Sequence, residues 1–489
     1  MKQGRDIVLD VLRTEGVTHI FGNPGTTELS LIDALLRSGD FTYVLGLQEA
    51  TVVGMADGYA RATNRPAFLN LHATAGLGNG LGALSNAAYT NVPMVVTAGQ
   101  QDYRHILDEP WLSGDLVGLA KPVTKWAHEV RTVEEIGPIL RRAFKDANSY
   151  PKGPVFVSLP FHFMDEIAST ALPEKSRVCN AAIAGGLKTL AAELAQVDPD
   201  NIAIIACDEI SASESLSEVV ELAESLGGDV FGAPVHDSVV FPTSHPLWRG
   251  VLPPIAAEIR KVLGLYQKVL VIGDRGFLTL TFSGTPVPAG VDILHLSADA
   301  SIVGLTFATR CGVVGDIKSS IRSLLPLLSG TESSKVSERL NAYREARLQS
   351  LTVEECRIQA AYSELPMPPE VAAHGIVSAL SPECAVVDEA PAITRYVRQW
   401  LCTEARLQYN FSKGGGLGWA MPAAVGIALA RPAIRTVCLT GDGAAMYSPQ
   451  AMWTAAKQRL DITFVLVNTS EDGALKEYLS SKSPCRADI

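Results

Sequence analysis

Between Arg435 and Glu471 the chain reads RTVCLTGDGAAMYSPQAMWTAAKQRLDITFVLVNTSE, and no other stretch restricts the fold as much. Arg435–Thr440 is a short apolar run broken by Gly441-Asp442-Gly443. Ser448–Leu460 then carries helical periodicity, and Ile462–Asn468 is a second buried run. Strand, turn, helix and strand in this order imply two parallel strands that end on the same edge of a sheet. That edge is where open α/β sheets take their ligands. The glycines let the backbone approach a phosphate, and a carboxylate between them can hold Mg²⁺, which prefers oxygen ligands shared with phosphate. An Asp-Gly turn joining two ordinary strands is the plainer alternative.

The same grammar recurs along all 489 residues. The first unit has candidate strands at His19–Phe21, Tyr43–Leu47, Ala67–His72, Met94–Ala98 and Val155–Leu159. Helical patterns at Thr27–Leu36, Glu49–Ala62 and Leu77–Ala88 separate them, and glycine-rich turns (GNPGTTE, HATAGLGNG) fall at strand ends. A Pro-, Ser- and Lys-containing linker around 168–184 leads to a second unit with strands at Ile202–Ala206, Val269–Ile272 and Asp292–Leu296. A charged helical stretch, 330–359, bridges to a third unit with strands at Ala385–Val387 and Gln408–Phe411 and helices at Ala392–Leu401 and Leu417–Ala430. Strands alternating with helices predict an α/β protein of three doubly wound, parallel-sheet domains.

A formal charge of −11 argues against a nucleic-acid partner. No apolar run is long enough to span a bilayer, and the first residues, MKQGRDIVLDVLRTEG, read as an amphipathic helix and not a signal peptide. Eight scattered cysteines without a CxxC pair read as reduced core thiols of a cytoplasmic protein.

The segments GNPGTTE, LQEATVVGMADGYAR, NLHATAGLGNG, TAGQQ, GGGLGWAMPAAVG and GDGAAMYSPQAMWTAA resemble the thiamine diphosphate-dependent decarboxylase superfamily. Within it they are most similar to benzoylformate decarboxylases, and acetolactate synthases share much of them. The resemblance implies a pyrimidine-binding domain (1–168), a middle domain (186–328) and a shortened diphosphate-binding domain (365–489). It also implies thiamine diphosphate and Mg²⁺ as cofactors, and decarboxylation of a 2-oxo acid, aryl or other, with carboligation of the resulting aldehyde as an added capacity. Family members bind each cofactor between the first domain of one chain and the third of another, which implies a homodimer or homotetramer. Two alternatives stand beside this reading: a non-catalytic homologue acting as a structural partner, and an acetolactate synthase-like carboligase.

Residue by residue, the resemblance places Glu49 at N1′ of the aminopyrimidine, where a held proton assists activation of the thiazolium. Read without it, Glu49 is a first-turn glutamate favoured by the helix dipole. His72 would face the substrate as a proton-transfer group, and Thr26 would meet the substrate carboxylate. The Gly415 carbonyl would accept from the 4′-amino group, and Leu417 would wedge the two rings together. The diphosphate and metal would fall to Gly441, Asp442, Gly443, Ala444 and Asn468, with Asp442, Thr469 and the Glu471 carbonyl as metal ligands. Four departures accompany the match. Thr469 stands where the family has a metal-binding Asn, Leu280 where benzoylformate decarboxylases have a second pocket histidine, and Asp472 where relatives carry an aromatic. The chain stops at SPCRADI, where family members continue.

Overall fold

In a computed structural model that describes residues 1–169, 171–328 and 333–469, the predicted alternation resolves into three main sheets flanked by helices. Contacts divide the chain into two compact units. One holds Met1–Val178, Ala385–Ala390 and the residues from Ser412 on; the other holds Cys179–Cys384 and Pro391–Phe411. The helices Pro369–Ser378 and Pro391–Trp400 therefore fall in the second of these units.

The first sheet has the order Thr42–Leu45, His19–Gly22, Ala67–Leu71, Met94–Gln100, Pro154–Pro160, Ala127–Glu129, all parallel. The short Ala127–Glu129 strand escapes the sequence pattern because three half-buried residues carry too little apolar signal. Alternation feeds two cores. Phe68, Val95, Val155 and Val157 pack under the helices Gly4–Glu15 and Ile136–Ala147, while Leu69, Val96 and Phe156 are buried on the other face. Each such side chain contributes about 1.5–3 kcal/mol on burial. The chain order reverses between His19–Gly22 and Ala67–Leu71, so a crevice is expected beyond the C-terminal ends of those strands.

The same unit carries the parallel strands Ala385–Glu389, Thr436–Gly441 and Ile462–Val467, in that order. Their ends deliver Glu389, Asp442 and Asn468 to one edge. Helix Ala420–Ala430 is buried from Ala420 to Ala428, which its continuous small and apolar sequence permits.

In the second unit the order is Trp248–Val251, Asp229–Gly232, Ile202–Ala206, Lys268–Ile272, Asp292–Ser297, Cys311–Val314, again parallel. Ile202, Ile204 and Ala206 enter one core and Ala203, Ile205 and Cys207 the other, the period-two signature of a sheet covered on both faces. Among the described residues no cysteine forms a disulfide; Cys207, Cys311, Cys384 and Cys438 are buried, and Cys485 lies outside the described residues. Cys179, Cys356 and Cys402 are exposed, which corrects the expectation that the thiols are core residues. Among the described residues no helix is long and apolar enough to cross a membrane.

Candidate active site

Glu49 owes its place to the residue before it. The Gln48 side chain accepts the Thr51 N–H at 3.0 Å and caps the helix Glu49–Thr63, so Glu49 occupies its first turn. The carboxylate is 8% exposed, and each oxygen takes an amide donor: Asn23 Nδ2 on Oε1 at 3.0 Å and Asn79 Nδ2 on Oε2 at 3.1 Å. Asn23 follows the His19–Gly22 strand and Asn79 lies in helix Ala73–Tyr89, so Glu49 is braced from both walls of the reversal crevice.

His72 ends the neighbouring strand. Its Nδ1 donates to Glu28 Oε2 at 2.8 Å, with Thr27 Oγ1 at 3.1 Å. Glu28 is 2% exposed and also accepts the N–H groups of Gly25 and Gly99, both at 2.9 Å, and the Thr27 hydroxyl at 2.7 Å. A carboxylate so supplied with donors can only accept, so Nδ1 carries the hydrogen and Nε2 is the nitrogen left for proton traffic. The bond to Glu28 raises the His72 pKa, partial burial lowers it, and the charges of Glu28 and Glu49 add to the rise. The next residue, buried Ala73, has φ +46°, a left-handed conformation that costs roughly 1–2 kcal/mol in a non-glycine residue. Strain of this kind collects where a chain must turn sharply to present a functional group.

The Gly414–Gly418 turn is held to the same helix. Asn86 pairs with both polar groups of Gly416, accepting its N–H at 2.9 Å and donating to its carbonyl at 3.0 Å. Asn79 and Asn86 are seven residues apart, two turns of helix and roughly 10 Å along one face. The helix Ala73–Tyr89 thus holds both the Glu49 carboxylate and the glycine turn, through contacts two turns apart. Gly415 and Gly418 take φ of +76° and +86°, and Leu417 is 52% exposed at the tip. Helices Glu49–Thr63 and Ala420–Ala430 meet backbone to backbone: a Cβ on Gly58 would strike the carbonyl of Ala423, and one on Gly426 that of Met55. Glycine at those positions lets the two helices pack backbone against backbone.

At the Thr436–Gly441 strand end, Asp442 Oδ1 receives its neighbour Gly443 N–H at 3.1 Å and the Thr469 hydroxyl at 3.4 Å. A Cβ on Gly443 would meet nothing within 4 Å, so the backbone there faces open space. The chain turns into the short helix Asp442–Ala445 at once, not through a free turn; its Ala444 is buried, and Gly441 N-caps it. Asn468 follows the last strand, and Glu471 and Asp472 lie outside the described residues.

The structure thus gathers Glu49, His72 and the Gly415–Leu417 turn within one unit of a single chain, whereas the resemblance implied that the two halves come from different chains. Thr26 begins the turn Thr26–Glu28 and is exposed; it is Thr27 whose hydroxyl reaches His72. Leu280, in the second unit, is 77% exposed. Sequence reasoning missed Glu28, Asn23, Asn79, Asn86 and Glu389. Glu28 had a signal in its spacing three residues after Gly25, the capping-box distance. Asn86 had one as well, since asparagine disfavours helix interiors and its presence there asks for a partner.

Three family models match the chain: the N-terminal binding domain of thiamine pyrophosphate enzymes over residues 2–119, their central domain over 187–324 and their C-terminal binding domain over 393–482. A benzoylformate decarboxylase of Pseudomonas aeruginosa is 33% identical, over 98% of this chain and 88% of that protein. The acetolactate synthase isozyme 3 large subunit of Escherichia coli is 25% identical, over 98% and 84%. Among solved structures, the thiamine diphosphate-dependent 4-hydroxybenzoylformate decarboxylase of Rhodococcus jostii RHA1 superposes with a TM-score of 0.88 at 27% identity, covering 100% of this chain and 90% of that one.

Proposed function

Because this chain belongs to the thiamine pyrophosphate enzyme family, we propose that it is a thiamine diphosphate- and Mg²⁺-dependent carboxy-lyase. Its substrate is a 2-oxo acid of the benzoylformate type or a close analogue, with carboligation of the released aldehyde as an added capacity. The observation that carries this reading is that one helix holds both the Glu49 carboxylate, through Asn79, and the glycine turn, through Asn86 two turns further on. The decarboxylases among its relatives support the choice of reaction.

The residues fit both cofactors. The open backbone at Gly443 suits a diphosphate, together with Gly441, Ala444 and Asn468. The donors at the strand ends are all oxygens: the Asp442 carboxylate and the Thr469 hydroxyl, joined in the sequence by the Glu471 carbonyl. With one carboxylate, they suit a cation that keeps phosphate and water in its shell, as Mg²⁺ does. Thiamine diphosphate, when bound, supplies the carbon nucleophile and the electron sink that lets CO₂ leave.

The chain's own groups then divide the remaining work. Glu49 holds the proton at N1′, its orientation fixed by Asn23 and Asn79. Leu417 presents an apolar wedge, and the Gly415 carbonyl accepts from the 4′-amino group. His72, kept in the Nδ1–H form by Glu28, carries protons at Nε2 to and from the substrate oxygen and carbon. Thr26 offers a hydroxyl to the substrate carboxylate. No second histidine supplements His72 at the position of Leu280, so proton transfer rests on one imidazole. We assign the protein to the cytoplasm as a homodimer or homotetramer.

A screen of 2-oxo acids with added thiamine diphosphate and Mg²⁺ tests the assignment: aldehyde and CO₂ are expected from at least one aryl 2-oxo acid. Calorimetry without detectable cofactor binding at millimolar concentration sinks it. Thr469→Asn replaces a hydroxyl with an amide carbonyl of longer reach and is expected to tighten Mg²⁺ binding about 10–100-fold.

A further inference from the structure

The Ala420–Ala430 helix lacks a capping side chain of its own. Trp419 stands at its N-cap and makes no such bond. Three consecutive N–H groups are taken instead by a carboxylate from a strand distant in sequence. Glu389 Oε1 accepts from Gly418 at 2.8 Å and Trp419 at 3.3 Å, and Oε2 accepts from Ala420 at 2.8 Å. These residues follow Gly415–Leu417 directly. Asn86 grips the turn from another side at Gly416, and the Ser448 hydroxyl from a third, donating to the Gly418 carbonyl at 2.7 Å. The turn is therefore held on three sides, with Leu417 half exposed at its tip.

Glu389 is only 8% exposed, and burial pushes its carboxyl up to about 7, against the pull of the three N–H groups. The titratable groups facing it are the buried Asp388 on its own strand, whose charge adds to the rise, and the Cys438 thiol on the neighbouring Thr436–Gly441 strand, itself pushed up by burial and by both carboxylates.

We propose that Glu389 is a positioning residue for the cofactor-facing turn: its carboxylate fixes Gly418–Ala420 so that Gly415 and Leu417 present a preformed surface to the aminopyrimidine. The proposal rests on the reading above in which this turn meets the cofactor. A carboxylate can accept all three N–H groups, whereas a protonated one turns an O–H donor toward one of them. The turn is therefore fully held only above the pH at which Glu389 ionises.

Thiamine diphosphate with Mg²⁺ is titrated into the full-length protein and into Glu389→Gln by calorimetry between pH 5.5 and 8.5. Amide hydrogen exchange at Gly418–Ala420 is followed on the cofactor-free proteins at matched pH. The wild type is expected to gain about tenfold in affinity through pH 7 relative to the variant. At pH 8 the variant is expected to bind at least tenfold more weakly, with faster exchange at these amides. Titration of the cofactor's own groups is common to both proteins and cancels in the comparison. A variant with wild-type affinity, pH step and exchange overturns the proposal. If neither protein binds the cofactor but exchange differs between them, the functional reading fails while the hold on the turn stands. Should Glu389→Gln not fold, Glu389→Asp carries the test: its shorter carboxylate cannot reach all three amides, so wild-type affinity and exchange in that variant overturn the proposal.

Discussion

Two histidines and two shielded glutamates stand at the C-terminal edges of the first and middle sheets, and they are wired in opposite ways. At the first sheet, Glu28 accepts two backbone N–H groups and also the Nδ1–H of His72, whose pKa rises through that bond. At the middle sheet, Glu209 lies where the strand order reverses between Ile202–Ala206 and Lys268–Ile272. It takes the N–H groups of Asp274 at 3.2 Å and Ala298 at 2.8 Å and the Ser297 hydroxyl at 2.8 Å. The histidine of this edge, His295 in the strand Asp292–Ser297, is fully buried and bonded through Nε2 to the carbonyl of Asp274, and burial lowers its pKa. Both glutamates staple loops over a reversal point, but only the first is hydrogen-bonded to a titratable side chain, whereas Glu209 feels the charge of Asp274 without bonding to its carboxylate. The same topology carries a bonded histidine–carboxylate pair in one place and a glutamate bonded to backbone and hydroxyl groups in the other, so what a site can do lies in the partners and not in the fold. Glu209 already occupies two of the backbone donors at the middle crevice, those of Asp274 and Ala298.

The contrast can be broken by substitution, beginning with the largest expected loss of catalysis. Glu49→Gln is expected to cost about 10²–10⁴-fold in kcat, the usual range for a proton-transfer group. Exchange of the cofactor's C2 proton, followed by NMR on the loaded enzyme, should fall with it; retained exchange would remove Glu49 from its role.

Glu28→Gln should act through His72. Its loss is expected to reduce kcat about tenfold and to move the His72 limb of the pH–rate profile to lower pH, since the bond that raises this pKa is gone. The sign for stability follows from the same shift. A raised histidine contributes fully below its unfolded value, about 6.5, and the contribution fades as pH rises through the folded value. Urea midpoints of wild type and Glu28→Gln should accordingly converge toward alkaline pH by the His72 share. An unmoved pH–rate limb would make Glu28 no more than a staple, like its counterpart in the middle sheet.

Glu209→Gln is expected to leave kcat within about twofold while changing stability against pH. Burial raises this carboxyl to about 7. The folded chain keeps the proton that the unfolded chain releases near the ordinary value, so its stabilisation is greatest below that value and is lost as pH rises to about 7. The difference amounts to about 3 kcal/mol. The variant should flatten that part of the urea-midpoint profile; a large loss of kcat instead would give the middle sheet a catalytic part.

Much of this was legible in the residues. The strand Ile202–Ala206 announces itself because five consecutive apolar side chains must be buried on both faces, and Ala67–Leu71 does so with Asn70 as its one polar residue. Glu49 is marked by its place after a strand and at a helix start. Glu389 was hidden, since Asp388 and Glu389 interrupt the apolar run and make the strand look finished at Val387, although both are buried. Asn79 and Asn86 were hidden for another reason: their partners, Glu49 and Gly416, lie 30 and 330 residues away.

By itself, the amino-acid sequence determined the alternation of strand and helix, the three sheets and the strand ends that carry Glu49, His72 and Asp442, because hydrophobic periodicity and glycine turns act over a few residues. Only the tertiary structure decided that Glu28 sets the tautomer of His72, that one helix holds both Glu49 and the glycine turn, and that Glu389 caps a helix that begins 31 residues later in the chain. Those are hydrogen bonds between segments brought together by packing. Their existence depends on which buried polar groups lack a nearer partner, and no local pattern records that.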